Sequence, residues 1–239
     1  MLNLQGKVAF VFGVASEDSI AWAICQSLAD AGVTLYLGYQ KRFMSRVFQL
    51  KDKLPAIAGF YPLDVATDAD TKEFFDAFSA ENPNVKADIL IHAIGFAPRE
   101  CFDRPILFVD DDKINTAFTI SANSLQRCLK FALPYLNEGS STITLTYAAS
   151  TRHVPSYGIM SMAKAALECW TRELACHLGP EGHRVNAISS GPIRTIAASG
   201  IPGFDNILDH VAANSPLRRH VTQSDVAGCS TWLASPLSA

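Results

Sequence analysis

The residues whose types and spacing could do chemistry cluster in Tyr147-Ala148-Ala149-Ser150-Thr151-Arg152-His153-Val154-Pro155-Ser156-Tyr157-Gly158-Ile159-Met160-Ser161-Met162-Ala163-Lys164. The pattern predicts a long helix over 155–178, which places Tyr157 and Lys164 seven residues apart on it. Seven residues make nearly two turns, so both side chains fall on one face, about 10 Å apart along the axis. That separation suits a lysine that holds a nucleotide ribose while a tyrosine hydroxyl reaches the substrate. A cation close to the phenol favours it as a donor to a developing oxyanion. Tyr147 stands at the end of the preceding strand and is aimed at the same crevice. A Tyr–Lys pair at this spacing is also commonplace on amphipathic helices, so the pair alone leaves both readings open.

Three loops add to it. The first strand ends at Phe12-Gly13-Val14-Ala15-Ser16-Glu17-Asp18-Ser19-Ile20-Ala21, where Gly13 is the only glycine before the helix. Asp18-Ser19 is good N-cap chemistry, and a helix N-terminus offers backbone N–H groups to a pyrophosphate even where glycines are few. An ordinary strand–helix turn reads the same way. The second strand ends at Gly38-Tyr39-Gln40-Lys41-Arg42, where dinucleotide folds usually place an acid for the adenosine ribose. Gln40 can bond ribose hydroxyls, while Lys41 and Arg42 either attract a 2′-phosphate or begin a solvated helix. After the third strand, Asp64-Val65 offers an acceptor for an adenine amino group, or an N-cap for the next helix.

The elements that must position these loops alternate along the chain. Strands are expected at 8–14, 33–39, 56–63, 88–94, 142–147 and 184–188. Helices are expected at 19–32, 43–53, 68–80, 113–136, 155–178, 205–213 and 223–234. Strands that are apolar throughout imply a sheet covered on both faces, and strand–helix alternation implies parallel crossovers. The reading is one α/β domain over residues 1–239 with a doubly wound, Rossmann-type parallel sheet, whose ligands sit at the carboxyl ends of the strands. Composition agrees. With 49% hydrophobic residues in 239 the chain can fill a core, which excludes disorder. A net charge of −3 gives no footprint for nucleic acid. No apolar run is long enough for a membrane helix. The six cysteines form no CxxC pair and read as reduced, intracellular thiols. No metal site and no signal peptide are expected.

Taken together, these residues resemble the short-chain dehydrogenase/reductase superfamily, and within it the NADH-dependent enoyl-acyl-carrier-protein reductases of bacterial and plastid type II fatty-acid synthesis. The resemblance covers essentially the whole chain. It is carried by Gly13-Val14-Ala15 with Ser19-Ile20-Ala21, by His92-Ala93-Ile94-Gly95-Phe96-Ala97-Pro98, and by Tyr157-x6-Lys164. It is carried equally by Gly179-Pro180-Glu181-Gly182, Arg184-Val185-Asn186-Ala187-Ile188 and the run from Gly191-Pro192-Ile193-Arg194 to Ile201. Carbonyl reductases of the superfamily have Tyr-x3-Lys with a serine thirteen residues before the tyrosine; here those positions hold Ser161 and Thr144.

The resemblance implies a catalytic set of Tyr147, Tyr157 and Lys164. It implies that Gly13, Ser19 and Ile20 approach the pyrophosphate, Gln40 the ribose, and Asp64 and Val65 the adenine. Ile94 and Gly95 would flank the nicotinamide, Lys164 its ribose, and Ile193, Thr195, Ile196 and Ala197 the carboxamide and pyrophosphate. Ala97, Tyr147, Tyr157, Met160 and Ile201 would meet the substrate, under a mobile lid at about 194–213. NADH is the expected cofactor, with NADPH not excluded, and acyl carrier protein is the expected partner. Arg194, Arg218 and Arg219 are candidates for docking it. A cytoplasmic homotetramer is implied (or a plastid-stroma one), assembled through the two long helices; on the second, Leu167, Trp170, Leu174 and Leu178 are spaced as a buried stripe, which covers a neighbouring copy, the sheet, or both. A carbonyl reductase of the same superfamily and a non-catalytic NAD sensor are the rival readings.

The sequence departs from the family pattern at Phe12, Ala93, Ser161 and Arg99-Glu100-Cys101, none of which touches the catalytic set. These departures bear on acyl-chain preference. The pattern also implies one more parallel strand after 223–234, which is expected to be absent from a chain ending at Ala239.

Overall fold

The computed structural model describes residues 2–239. In Val8–Phe12 (β1) every side chain after the first is buried, which requires a strand covered on both faces. Thr34–Tyr39 (β2), Ile57–Pro62 (β3), Ala87–His92 (β4), Leu136–Thr146 (β5) and Arg184–Ser189 (β6) join it in one parallel sheet of order β3-β2-β1-β4-β5-β6. The register pairs Val11 with Leu37, Phe12 with His92 and Ile91 with Ile143. The strand order reverses between β1 and β4, and this switch point opens a crevice at the carboxyl ends.

Side chains along a strand alternate between faces, and β1 divides accordingly. Ala9 and Val11 join a core under Ile20–Asp30 (α1) and Gln223–Ala234 (α9), with Trp22, Ile24, Leu28 and Val226. Phe10 and Phe12 join the opposite core under Asp68–Glu81 (α3), Ser124–Ala132 (α6) and Ile159–Leu178 (α7). Phe12 meets Phe74 edge-on with ring centroids 5.0 Å apart, so a large residue before Gly13 is filled in by α3. The remaining helices are Met44–Phe48 (α2), Glu100–Asp103 (α4), Asp111–Phe118 (α5) and Phe204–Asn214 (α8).

Three expected helices differ. The one over 43–53 breaks into α2 flanked by single 3-10 turns, because only Val47 and Leu50 are buried there and so short a stripe cannot hold a continuous helix. The one over 113–136 is interrupted by a π turn at Thr119–Asn123 between α5 and α6. The one over 155–178 starts four residues late, since Gly158 sits at φ +49° and ψ −133°, outside helical space. In the stripe, Leu167 and Leu178 are buried in the sheet core, Trp170 and Leu174 pack against it half-buried, and Trp170 Nε1 donates to Asn123 Oδ1 at 3.0 Å. All six cysteines are unpaired, and Cys25, Cys101 and Cys128 are buried.

Candidate active site

The loops at the carboxyl ends of the strands enclose one cleft of about 1430 Å³. That exceeds the roughly 300–1,000 Å³ of an ordinary small-molecule pocket and leaves room for a dinucleotide with a second ligand beside it. Gly13, Ser19, Ile20, Gln40, Asp64, Val65, Ile94, Gly95, Ala97, Tyr147, Tyr157, Met160, Lys164, Ile193, Thr195, Ile196, Ala197 and Ile201 all lie on its wall. At its deep end Tyr157, Met160, Tyr147, Ala97 and Ile201 form one apolar cluster. Rings of Tyr147 and Tyr157 are 5.0 Å apart, tilted by 59°.

Tyr157 precedes α7 rather than riding on it, so the shared helical face does not describe how it meets Lys164. Gly158 is the joint. A Cβ there would lie 2.2 Å from the Cys101 carbonyl oxygen, at a φ that L-residues rarely adopt. The chain turns on this glycine, and Tyr157 reaches the cleft from the loop while Lys164 comes from the helix.

Burial governs the ionisation. It pushes the Tyr157 hydroxyl well above the usual phenol range, with Tyr147 adding to the rise. The phenol is therefore a neutral donor, and desolvation rather than the lysine charge keeps it so. Lys164 is buried, and its Nζ donates to the Leu145 carbonyl at 2.7 Å. Burial brings it down to about 8, partly countered by Glu168, whose Oε1 accepts from Thr146 Oγ1 at 2.7 Å. His92 lies beneath, within 2.9 Å of Thr144 Oγ1 and Ser124 Oγ, and burial with the Lys164 charge brings it down to about 3. It is a neutral hydrogen-bonding spacer.

At the other end, Ser19 occupies the N-cap position of α1 without capping it: its hydroxyl donates to the Ser16 carbonyl at 2.5 Å. No side chain thus competes for the first N–H groups of α1. Asp64 is not the N-cap of α3, which is Thr67; its Oδ1 closes a turn on the Ala66 N–H at 2.9 Å. Of the two cations after β2, Arg42 lines the cleft and Lys41 does not. The Arg42 guanidinium carbon lies 4.8 Å from the Phe43 ring centroid and 5.4 Å from that of Phe96.

The whole arrangement lies within residues 13–239, which match the model of a family described as enoyl-(acyl carrier protein) reductase. The chain belongs to that family. It is 42% identical to the NADH-dependent enoyl-[acyl-carrier-protein] reductase of Salmonella typhimurium over 240 positions, covering 99% of this chain and 90% of the relative. Identity to the corresponding Synechocystis enzyme is 40% over 243 positions, covering 100% and 93%. Among solved structures, the Bacillus cereus enoyl-acyl carrier protein reductase with NADP+ and an indole naphthyridinone superposes with a TM-score of 0.94 at 38% identity, covering 100% of this chain and 93% of that one.

The residues of this reductase fit a nicotinamide dinucleotide on three counts. Ser16 Oγ is buried in the cleft wall without a hydrogen-bond partner among the described residues. A Cβ on Gly13, at φ +105°, would lie 2.1 Å from the Ala93 carbonyl oxygen, so the first loop presses bare backbone against the end of β4. A Cβ on Gly95 would stand 3.8 Å from Lys164 Nζ, in front of the ammonium. Ser16 and Phe102 also line the cleft, beyond the residues that the sequence pattern predicts. Ser16 could have been found as the remaining hydroxyl of the first loop; Phe102 carries no local signal. Of the basic candidates, Arg219 is taken by both carboxylate oxygens of Asp225, at 2.7 and 2.9 Å, and Arg194 pairs with Asp205 at 2.6 Å. Arg218 is exposed and has no ion-pair partner among the described residues.

Proposed function

We propose that the chain reduces the trans-2 double bond of enoyl thioesters carried on acyl carrier protein. The observation that carries this reading is a buried, neutral Tyr157 hydroxyl in an apolar cluster, sharing one cleft with a buried Lys164. Held in that cleft, NADH supplies the hydride for the β-carbon. Gly13, Ser16, Ser19 and Ile20 line the side suited to its pyrophosphate, Gln40 and Asp64 the adenosine end, and Ile94, Gly95 and Lys164 the nicotinamide riboside. Gln40 suits NADH, and Arg42 gives the same end a charge for the 2′-phosphate of NADPH.

Tyr157 donates a hydrogen bond to the thioester oxygen as enolate charge develops, in surroundings where such a bond is worth more than in water. Lys164, fixed by the Leu145 carbonyl, has further N–H groups that would hold the nicotinamide ribose, and its charge would add positive potential. A proton arriving at the α-carbon completes the reduction. Tyr147 shapes the acyl pocket against Tyr157. Segment 194–213 acts as the lid: Ile196, Ile201 and Phe204 line the cleft, while the backbone of 198–201 bonds within the segment instead of to the sheet. Such self-contained stretches open at low cost.

Acyl carrier protein is the partner, with Arg218 as the basic residue left to meet its acidic surface. The assembly we infer is a homotetramer, in which the outward residues of α7, such as Met162 and Cys169, are the ones left to meet a neighbouring copy. Six unpaired cysteines suit a cytoplasmic setting. The deciding assay compares NADH consumption with crotonyl and acetoacetyl thioesters. Turnover of the crotonyl thioester is expected; turnover of the acetoacetyl thioester alone makes the chain a carbonyl reductase, and no turnover of either makes it a cofactor-binding protein.

A further inference from the structure

We propose that Ser121 is a positioning residue for the acyl group: the π turn at Thr119–Asn123 delivers its hydroxyl to both backbone groups of Phe96, fixing the peptide between the cofactor wall and the acyl pocket. The inference rests on the enoyl-reductase reading above. Ser121 is fully buried. Its Oγ donates to the Phe96 carbonyl at 2.7 Å and accepts from the Phe96 N–H at 2.9 Å. A hydroxyl has one proton, so the Met160 sulfur 3.5 Å away is a packing neighbour.

The stretch 94–97 has no other anchor of this kind. Ala93 N–H still bonds to the Phe12 carbonyl, and regular turn bonding resumes where Cys101 N–H meets the Pro98 carbonyl. Between them, among the described residues, the backbone of 94–97 is hydrogen-bonded to the rest of the protein only through Ser121. Gly95 adds no side chain to hold it. Yet this stretch sets two sides of the reaction: Gly95 faces Lys164 Nζ, and Ala97 packs in the cluster with Tyr157 and Met160.

The π turn accounts for the reach. Its wider backbone inserts one residue into the long helix, a feature that recurs at functional sites. Each polar side chain at its end has its own target. Ser121 takes Phe96, Asn123 takes the Trp170 indole, and Ser124 takes His92. Two of these targets are the last residue of β4 and the residue four beyond it, so the turn and the first residue of α6 together hold the carboxyl end of that strand at two points. Only the Ser121 grip reaches the acyl side.

The test uses the full chain with crotonyl thioester and NADH. Ser121→Ala leaves both Phe96 groups unpaired; Ser121→Cys keeps the volume while weakening both bonds, and serves if the alanine variant folds poorly. Releasing this peptide is expected to lower kcat by roughly 10- to 100-fold, with a much smaller change in NADH affinity by fluorescence titration. Ser140→Ala, which removes a buried hydroxyl within 2.8 Å of His183 Nδ1 and away from the cleft, is expected to lower the melting temperature while keeping kcat. A Ser121 variant that keeps the wild-type kcat overturns the inference. So does one whose losses in kcat and melting temperature match those of Ser140→Ala. Absence of enoyl reduction by the wild-type chain overturns the functional reading, and this inference with it.

Discussion

Lys164 is a buried ammonium whose cost can be read as a pH dependence. Its ordinary value of 10.5 falls to about 8 in the folded chain, chiefly by desolvation. At about 1.36 kcal/mol per pH unit this amounts to about 3 kcal/mol. Below pH 8 the lysine is charged in both folded and unfolded states, and the folded state bears the full cost. Between pH 8 and 10.5 the unfolded chain binds more protons than the folded one, so stability from this site rises with pH. Of the 3 kcal/mol, about 2 are recovered by pH 9.5 on this basis. Lys164→Met keeps the length of the side chain and removes the charge. Urea unfolding of the cofactor-free proteins should therefore place the variant above the wild type by a margin that shrinks by about 2 kcal/mol between pH 7 and pH 9.5. NADH titrations should show the opposite sign for function, with weak binding by the variant and a wild-type affinity that declines above about pH 8. A stability margin that stays constant over this range, or undiminished NADH binding by Lys164→Met, refutes the reasoning.

Tyr157→Phe should lower enoyl turnover by about 100-fold or more, the scale of losing one oxyanion donor, while leaving NADH affinity unchanged; full turnover by the variant removes Tyr157 from the donor role. Arg42→Ala should cut kcat/KM for NADPH by about 10-fold or more, the worth of a charge-assisted hydrogen bond, with little change for NADH. Equal losses with both cofactors would assign Arg42 to packing against Phe43 and Phe96 instead.

The sheet was legible because its strands are apolar throughout: Phe10 and Val11 are buried on opposite faces, which no alternating strand allows. The cleft residues were legible for a related reason, since chemistry in this fold gathers where strands end. What escaped the pattern depends on single backbone angles or distant partners. Hydrophobic periodicity runs on through Gly158 and takes no account of its positive φ, so the pattern predicts a helix through Tyr157. The π turn adds one residue to an amphipathic stretch whose buried face barely changes, and the predicted helix therefore ran unbroken. The role of Arg42 could not be read from its neighbours, because one of the two rings that hold it, Phe96, belongs to another loop. The apolar spacing of Leu167, Trp170, Leu174 and Leu178 is the same whether the stripe meets the sheet or another copy, and only packing assigns it to the sheet.

The glycine joint before α7 has a consequence for how such a protein can diversify. Because Lys164 belongs to a twenty-residue helix and Tyr157 to the loop in front of it, the roles proposed for them, holding the cofactor and offering a hydroxyl to the substrate, fall on two different elements. On that reading, changes within 151–156, where the Val154 carbonyl accepts from the Tyr157 N–H, bear on the phenol before they bear on the helix that carries the lysine. The hinge itself is the exception: with the Cys101 carbonyl so close behind it, Gly158 is the one position in that loop where selection has no alternative side chain to try.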